Sequence, residues 1–515
     1  MRTDGPTDRT TEGRRRLVCR ATLVLAFLSA GSSVRLSAQC PDGTPPPCAS
    51  RSAPAALSVA VLTFENVTRD TAAQYLAEGL ADQIYTRLGG VTRLTMISRT
   101  AVRRLRSPEQ LSVQQLGRTL NAAYLVNGSI RVAGGRVRVS AEALRAATGE
   151  SVWSAAFDRA GDELIGLEEA IATEVAAGVA GRLSPQERST LRSRVTSNSR
   201  AYEQFLRGNV LLARRSGGAL RDAIAAYQAA TAADQDFADA YGRLGYAYAL
   251  CKLWGCRTGG DSLLGLSREA SARALRLNPR SSDAWMGRAY LLAQWSAWDR
   301  DHGDDSLLAS LAAFRRAVDL NPRNDEAWHQ YGSTLTEVSD SAAEGAMRHA
   351  LALDPARAIT YQDLSLVYYL SGRNDRALAV IDSAVTLDPD GPFRSARAAY
   401  RLMAGDTAGA VADARLTPGI MFSTAILAAL AHDSAAARAM EARVAHAECN
   451  SINRPAAYLL WTGRREQAVQ LLLGCVPSLW LREQLRWQAL APLLDDPRIQ
   501  ALRAEADRIV ARARW

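Results

Sequence analysis

Apolar and polar positions between residues 198 and 390 follow the period of short paired helices. In residues 361–389, large apolar side chains recur at positions i, i+3 and i+7, a polar turn follows at residues 371–374, and alanines seven positions apart mark a second helix. Pro389 ends the pair because proline cannot continue a helix. Two helices of this length cannot bury their apolar faces alone, so the pattern predicts a stack of neighbouring pairs.

Copies of the pair occur upstream with the same order of residues. Aromatic residues stand near the start of each copy, small residues mark the contact between its two helices, and Asn-Pro or Asp-Pro closes it. Successive closing prolines are 43, 33 and 34 residues apart, at Pro279, Pro322, Pro355 and Pro389. These features resemble the tetratricopeptide repeat, whose period is about 34 residues. The resemblance implies an α-helical solenoid over residues 198–390 that binds protein or peptide partners.

Residues 391–515 keep a helical, alanine-rich pattern but lose most of the repeat positions. One unit matches again, because residues 458–468 align with residues 367–377 and keep their glycine and alanine. Terminal units of a solenoid present a polar outer face and therefore diverge from the inner ones. We expect degenerate helical repeats and a C-terminal cap in this region.

Residues 57–185 combine strand and helix patterns and predict a small α/β sandwich domain. Alternation at Val137, Val139 and Ala141 indicates a sheet with one buried face. The predicted strands are 58–64, 94–98, 124–132, 137–144 and 151–157, with turns at Gly134-Gly135 and Thr148-Gly149. The predicted helices are 71–88, 113–120 and 164–183. The predicted fold class is therefore α+β and multi-domain, with this sandwich followed by the solenoid.

Five short segments of this domain resemble the FlgO and TolB-amino-terminal-like families. They are VAVLTFEN at 59–66, LAEGLAD at 76–82, ISRT at 97–100, YLVNGSI at 124–130 and TGESVWS at 148–154. The resemblance implies an α/β domain often joined to tetratricopeptide repeats, sometimes beside a nucleotide cyclase, a kinase or a DNA-binding domain. It implies no catalytic residues, and we identify no such output domain in this sequence. Four polar residues could form an acidic site, but we expect cap and turn roles for them: Glu65, Asn66, Glu78 and Asp82.

Charge and motif content argue against nucleic-acid binding and against several enzyme classes. The net charge is +9, of which residues 1–38 contribute four through seven arginines and three acidic residues, and no basic cluster marks a nucleic-acid surface. Lys252 is the only lysine and precedes Leu253, which excludes a GxxxxGK[ST] phosphate loop. No HExxH, GxSxG or kinase motif occurs. We expect no catalytic residue, no metal and no cofactor.

The N-terminus has the pattern of an export signal. Three arginines at residues 14–16 precede an apolar run at 21–30, and small residues follow before Gln39. We interpret residues 1–38 as a cleaved signal and the Pro-rich residues 39–56 as a linker. The predicted location is the periplasm or cell envelope. The alternative is a retained short signal anchor that holds the protein at the inner membrane.

The cysteines beyond residue 38 fall into three pairs that are each close in sequence. Such pairs indicate local disulfides formed in an oxidising compartment. The candidate pairs are Cys40 with Cys48, Cys251 with Cys256, and Cys449 with Cys475. Free, buried cysteines are the alternative. Metal binding is disfavoured because no CxxC pair or nearby histidine completes a ligand set.

The inner wall of the solenoid is the candidate surface for partners. In stacked helix pairs, the first helix of each unit forms most of this wall. Aromatic and Met side chains there suit a peptide or helix groove. The competing interpretation is that these side chains pack against the neighbouring repeat. The candidates are Tyr246, Met286, Tyr290, His329, Gln362 and Tyr369.

Two functions follow from these patterns. The first is an exported, non-enzymatic scaffold or adaptor that binds protein or peptide partners through the solenoid. The second is a membrane-anchored sensory or regulatory component, whose cyclase, kinase or DNA-binding output domain lies on another chain. Cleavage of the N-terminal segment separates the two.

Overall fold

The computed structural model describes residues 54–68, 71–105, 108–160, 166–192, 196–214, 216–253, 262–296 and 303–512. Several sequence-based predictions lie outside these residues and are not addressed by the structure. They are the export signal, most of the linker, and the cysteines Cys40, Cys48 and Cys256.

A six-stranded mixed sheet forms the centre of the first domain, one strand more than predicted, because residues 58–66 form two strands instead of one. Strand β1 (Ser58–Val61) is a run of four buried residues, and this places it inside the sheet, which has the order β3-β1-β4-β5-β6 with β2 paired to β4. Strand β1 is parallel to β3 and β4, whereas β4–β5 and β5–β6 are antiparallel. The other strands are β2 (Glu65–Asn66), β3 (Thr95–Met96), β4 (Tyr124–Ala133), β5 (Arg136–Arg145) and β6 (Ser151–Ala160).

The β4–β5 hairpin turns at the glycine pair predicted for it. Gly134 and Gly135 have φ values of +57° and +73°, which glycine adopts at no steric cost and which a two-residue hairpin turn requires. Ala133 pairs with Arg136 across the turn, and this fixes the register of the two strands. Residues on β5 then alternate between buried and exposed, as expected for a sheet with one buried face.

Helices cover both faces of the sheet. Val59 and Val61 on β1 belong to a core packed by α1 (Thr71–Leu88) and α4 (Leu167–Ala180). Ala60 points to the opposite face and joins a separate core under α2 (Arg99–Arg103) and α3 (Val113–Leu120). The domain is therefore a small α/β sandwich, and α5 (Pro185–Leu191) leads out of it.

Paired helices fill the rest of the chain. Each first helix packs on its own second helix, and each second helix packs on the next pair, which is the arrangement of a solenoid. The first helices are α6 (Ser199–Ala213), α8 (Ala238–Leu253), α10 (Ser282–Ser296), α12 (Asp325–Leu335), α14 (Ala358–Leu370), α16 (Phe393–Met403), α18 (Met421–Leu430) and α20 (Asn453–Trp461). The second helices are α7 (Gly217–Ala233), α9 (Ser262–Leu277), α11 (Gly303–Leu320), α13 (Asp340–Leu353), α15 (Asn374–Leu387), α17 (Thr407–Leu416), α19 (Ser434–Ala445) and α21 (Arg465–Leu473). Pairing thus continues beyond Pro389, where the sequence signature fades.

The repeated order of residues in the central units has a direct structural cause. The aromatic residue near the start of each first helix donates a hydrogen bond to the carbonyl of the proline six positions earlier. The three bonds are Trp285 Nε1 to Pro279 O (2.9 Å), Trp328 Nε1 to Pro322 O (2.8 Å) and Tyr361 Oη to Pro355 O (3.1 Å). Each bond ties a first helix to the turn that precedes it, so the angle between consecutive units is repeated.

The sheet domain and the first pair approach closely at a glycine. A Cβ atom added at Gly79 on α1 would lie 2.8 Å from Leu206 Cβ on α6, so glycine is what allows these two helices to touch. Within that pair, a Cβ added at Gly208 would lie 2.5 Å from the Tyr227 ring. The cores of the sheet domain and of the first units are continuous as a result.

The C-terminal segment folds back onto units from the middle of the array. It contains α22 (Leu479–Leu485), a 3₁₀ turn at Gln488–Leu493 and α23 (Pro497–Arg512). Arg482 Nη1 donates to Glu337 O (2.9 Å) and Arg486 Nη1 donates to Thr336 O (3.0 Å), both at the end of α12. Ala489 N donates to Tyr369 Oη (3.1 Å) on α14. The segment therefore covers part of the inner wall as well as the last pair.

A disulfide joins Cys449 and Cys475, whose Cα atoms are 5.6 Å apart, and closes a segment that contains α20 and α21. Cys251 is also disulfide-bonded, and its expected partner Cys256 lies outside the described residues. Across the described ranges, every helix is too short or too polar to cross a membrane.

Candidate functional site

A cavity of about 580 Å³ lies between the sheet domain and the inner side of the helical array. Charged and polar side chains dominate its lining, and we call it the charged cavity. The sheet domain contributes the C-terminal half of α1 and all of α2. The array contributes the end of α6, the middle of α8 and the starts of α12, α14 and α16.

One face of α1 runs along the cavity and orders its charges. Glu78, Asp82, Tyr85 and Gly89 follow each other at intervals of three or four residues, so they lie along one side of the helix and its end. The charges next to this side of α1 change sign along it. Arginines lie beside Glu78 and Asp82, whereas carboxylates lie near Tyr85.

The basic end of the cavity is built around Asp82. Its Oδ1 accepts from Arg99 Nε (2.6 Å) and its Oδ2 accepts from Arg103 Nη2, so one carboxylate serves two guanidinium groups. Arg99 is held further by a hydrogen bond from Nη1 to Val61 O on β1. Its Nη2 is buried and has no acceptor among the described residues, so donors are in surplus here. Arg104, which is exposed, and Arg214 complete the basic end.

The acidic end of the cavity is built around Arg357. This guanidinium contacts Glu326 Oε2 (2.7 Å), Asp354 Oδ2 (3.4 Å) and Asp325, at the starts of α12 and α14. Glu326 Oε1 also accepts hydrogen bonds from Tyr246 Oη (2.5 Å) and from Gln330 Nε2 (2.9 Å). Asp388 adds a fourth carboxylate that lines the cavity near α16. Four carboxylates thus lie around Arg357, because the other nearby arginine of the lining, Arg243, pairs with Asp283 at 2.9 Å.

At the acidic end, burial and neighbouring negative charges make ionisation of the lining side chains less favourable. Burial raises the pKa of Asp325 even though Arg357 opposes this shift, and the nearby charges of Asp354 and Glu326 raise it further. The Asp325 side chain keeps 30% of its surface accessible, so this carboxyl faces the cavity itself. Burial also raises the pKa of Tyr85 on α1, with Asp325 and Asp354 as the next causes. A cation placed here would relieve the excess negative charge.

Sequence reasoning gave Asp82 the wrong role, since the residue forms neither a cap nor a turn. It anchors two arginines, and both partners follow the ISRT segment at 97–100 or lie within it. Asn66 does take the expected turn role, because its Oδ1 accepts from Thr68 N at 3.0 Å. Glu78 accepts from Gln74 Nε2 within α1 (2.8 Å). The signal for the basic end was present in LAEGLAD and ISRT, but the two segments meet only in the folded chain.

The structure buries five of the six residues expected on an open inner wall, and this part of the expectation is corrected. Neighbouring helices or the C-terminal segment cover their side chains, as the competing interpretation held. The five are Tyr246, Met286, Tyr290, His329 and Tyr369, and Gln362 alone is half-buried.

Two examples show what covers these side chains. Tyr369 stacks on Tyr400, with ring centroids 4.7 Å apart, and meets Trp487 from the C-terminal segment edge-on. His329 Nδ1 lies 3.0 Å from Thr360 Oγ1 on the next first helix. Tyr246 still borders the charged cavity, where its hydroxyl holds Glu326.

Among the residues that the structure describes, no group of three or more His, Cys, Asp or Glu is placed to hold a metal ion. The densest carboxylate group, Asp325, Glu326 and Asp354, already surrounds the guanidinium of Arg357. Its position is that of a salt-bridge cluster, which fixes the starts of two helices.

Comparison with known proteins finds remote likenesses. No family model matches the chain. A protein of Rhizobium meliloti (strain 1021) named "Putative adenylate cyclase 3" is 27% identical over 156 residues, which are 30% of this chain. The match covers 26% of that relative, so the chain spans about a quarter of its length.

Solved structures with some likeness include tetratricopeptide repeat proteins and a type IV pilus biogenesis factor. A thermophilic TPR protein of Thermus thermophilus is 22% identical and covers 39% of this chain and 99% of its own, with a TM-score of 0.34. PilW, a type IV pilus biogenesis factor, is 15% identical and covers 51% of this chain and 97% of its own, with a TM-score of 0.30. The evidence for a solenoid in this protein is the regular packing of its own helix pairs.

Proposed function

We propose that this protein is an exported, non-enzymatic scaffold that binds protein or peptide partners in the charged cavity. The observation that carries the proposal is the cavity itself, whose volume of about 580 Å³ lies in the range of about 300–1,000 Å³ common for ligand sites. Both the sheet domain and the array contribute to it, so a bound segment would contact the two parts together.

The chemistry of the lining supports binding rather than turnover. Arg357 is engaged by three carboxylates, and Asp82 is engaged by two arginines. Such ion pairs hold these side chains in place, and the members that stay partly exposed, such as Arg103 and Asp325, can bind charged groups of a partner. A hydrolase or transferase would instead require a nucleophile beside a base, within about 3 Å of each other.

Export is the part of the proposal that rests on the sequence. The arginines at 14–16 and the apolar run at 21–30 support it. The disulfide between Cys449 and Cys475 fits an oxidising compartment, where such bonds persist. The periplasm or the cell envelope is the location that we propose.

A displayed library of random peptides, panned on the purified mature chain, tests the binding function. We expect recovered peptides to bind the free chain with micromolar dissociation constants in fluorescence anisotropy, and to compete with one another for one site. Failure to recover any peptide that binds the chain in solution would contradict the function.

A second candidate function is favoured by the match to the Rhizobium meliloti relative. Because the matched segment is about a quarter of that protein, a catalytic domain could occupy the remaining length there and lie on a separate chain here. This protein would then be the sensory or regulatory partner, held at the inner membrane by an uncut N-terminus. Mass spectrometry of the protein isolated from its host decides: a start near Gln39 supports the scaffold, and an intact residue range 14–38 supports the anchored form.

A further inference from the structure

We infer that the charged cavity takes a peptide segment that carries both signs of charge, its acidic group at the end around Asp82 and its basic group at the end around Arg357. This inference rests on the proposed function and names the class of partner. It follows from the unequal distribution of charge along α1, from the surplus of donors at one end, and from the surplus of carboxylates at the other.

The basic end carries more positive charge than the chain itself neutralises. Four arginines line it against one lining carboxylate, Asp82, and a second carboxylate, Glu78, pairs with Arg214 at 4.0 Å. Arg103 and Arg99 share that carboxylate, and Arg104 has no ion-pair partner among the described residues. The side chain of Arg103 is 32% exposed, so its guanidinium is open to a ligand. A carboxylate bound here would gain charge-assisted hydrogen bonds, which are about twice as strong as neutral ones.

The acidic end carries the opposite surplus. Asp325, Glu326, Asp354 and Asp388 line it around Arg357, while Arg243, which also lines the cavity, is already paired with Asp283 at 2.9 Å. Asp388 is half-buried and, among the residues that the structure describes, has no ion-pair partner. An arginine or lysine side chain of a ligand would compensate the carboxylates that Arg357 leaves unbalanced.

The two ends together favour a ligand that carries both charges. An inorganic anion or a nucleotide could pair with the arginines, but it would leave Asp325 and Asp388 uncompensated. A cation alone would leave the surplus donors of Arg99 and Arg103 without acceptors. A segment with an acidic and a basic residue a few positions apart satisfies both ends at once, and like charges at either end oppose the reverse orientation.

Two single charge reversals test the inference without breaking an observed ion pair. Arg104→Glu reverses a charge at the basic end, and Asp388→Lys reverses one at the acidic end. The matched controls are Arg438→Glu and Asp222→Lys, which change exposed residues that do not line the cavity. Thermal unfolding of each variant verifies that the fold is kept.

The probes are four fluorescein-labelled hexapeptides with blocked termini, added to the full mature chain. One holds two Glu and two Lys at opposite ends, one four Glu, one four Lys, and one only Ala and Ser. We expect the mixed peptide to bind at least tenfold more tightly than the others. Each cavity variant should weaken it at least fivefold, and each control less than twofold.

Four outcomes would overturn the inference. Equal or tighter binding of the four-Glu peptide, with sensitivity to Arg104→Glu alone, would make the cavity an anion site. Binding of the mixed peptide that neither cavity variant changes would place it elsewhere. If library peptides bind but the mixed peptide does not, the scaffold function stands while the charge rule fails. If no peptide of any kind binds, the scaffold function fails as well.

Discussion

The side chain of Arg323 reaches from the helical array into the sheet domain, where its Nη2 donates a hydrogen bond to Leu94 O at 3.1 Å. The same guanidinium donates to Gly89 O, at the C-terminal end of α1. A cation is favourable at that position because the carbonyl end of a helix carries partial negative charge. This contact joins residues 229 positions apart and ties the helical array to the sheet domain.

Replacing Arg323 by alanine should loosen the sheet domain from the array without unfolding either. Each hydrogen bond from a charged donor contributes about 1.5–3 kcal/mol, so the loss of two at this partly exposed position costs about 3 kcal/mol of interaction. We expect faster amide hydrogen exchange in residues 86–96 and weaker binding of any cavity ligand. Arg323→Lys is the conservative control. Lysine keeps the positive charge but lacks the planar guanidinium whose two amino groups donate to two carbonyl oxygens. Unchanged exchange in residues 86–96 of the alanine variant would show that other contacts hold the domains.

The repeat array could be predicted because its causes are local. Trp285 bonds to Pro279 and Trp328 bonds to Pro322, each over six residues, so the sequence pattern and the contact coincide. The charged cavity instead brings together Asp82, Arg357 and other residues that are far apart in the chain, and no pattern within one segment marks such a grouping. In the sequence, the residues that form the two ends of the cavity appear only as separate polar positions in turns and motifs. Their grouping in space could not be predicted.

The exposure of the inner wall could not be predicted for a related reason. Helical periodicity shows which face of α14 points inward, but not what lies against that face. Tyr369 is covered by Trp487 and by the amide of Ala489, which come from more than a hundred residues later in the chain. A residue placed correctly on the inner face is therefore buried rather than available to a partner.

Arg357 should be among the most important side chains for stability in the array. Its removal leaves Asp325, Glu326 and Asp354 without their common cation, and breaking a buried pair in this way costs about 3–5 kcal/mol. We expect Arg357→Ala to lower the free energy of unfolding by that amount at pH 7 and by less at pH 5, because the raised pKa of Asp325 allows protonation to replace the lost cation.

Urea unfolding at the two pH values measures both effects. Arg273→Ala is the matched control, since Arg273 pairs at 3.4 Å with an Asp236 side chain that is 84% exposed, and such surface pairs contribute under about 1 kcal/mol. Similar losses for the two variants would mean that the Arg357 cluster is solvated rather than buried.

Asp239 makes stability depend on pH in the opposite sense to a typical surface carboxylate. Burial, followed by the charge of Asp283, raises the pKa of Asp239 to about 6. The folded state therefore holds this proton more tightly than the unfolded state, whose carboxyl titrates near its ordinary value of about 3.9. The resulting stabilisation is complete below about pH 4 and is lost as the pH rises through 6.

The variant Asp239→Asn measures the size of this effect. In the unchanged protein the Ser281 hydroxyl donates to Asp239 Oδ1 at 2.8 Å, and asparagine keeps an acceptor for this hydrogen bond. Between pH 5 and pH 7 we expect the free energy of unfolding of the unchanged protein to fall by about 1 kcal/mol more than that of the variant. Asp236→Asn, at an exposed position, should leave the curve unchanged. Parallel curves for Asp239→Asn and the parent protein would show that Asp239 is ionised in both states.

The disulfide between Cys449 and Cys475 should stabilise the last helix pair more than its few contacts suggest. It closes a segment of 26 residues, and cross-linking a loop of this size restricts the unfolded chain by about 3 kcal/mol in the chain-entropy model. We expect a Cys449→Ser/Cys475→Ser double variant to unfold residues 449–475 at lower urea than the array before them, seen as early loss of exchange protection in α20 and α21. The parent protein under reducing conditions should show the same early loss in α20 and α21, in addition to any effect of reducing the disulfide of Cys251. If α14 to α21 of the variant lose exchange protection at the same urea concentration, the last pair unfolds together with the rest of the array. The contact between Tyr369 and Trp487 of the C-terminal segment would then couple the two parts.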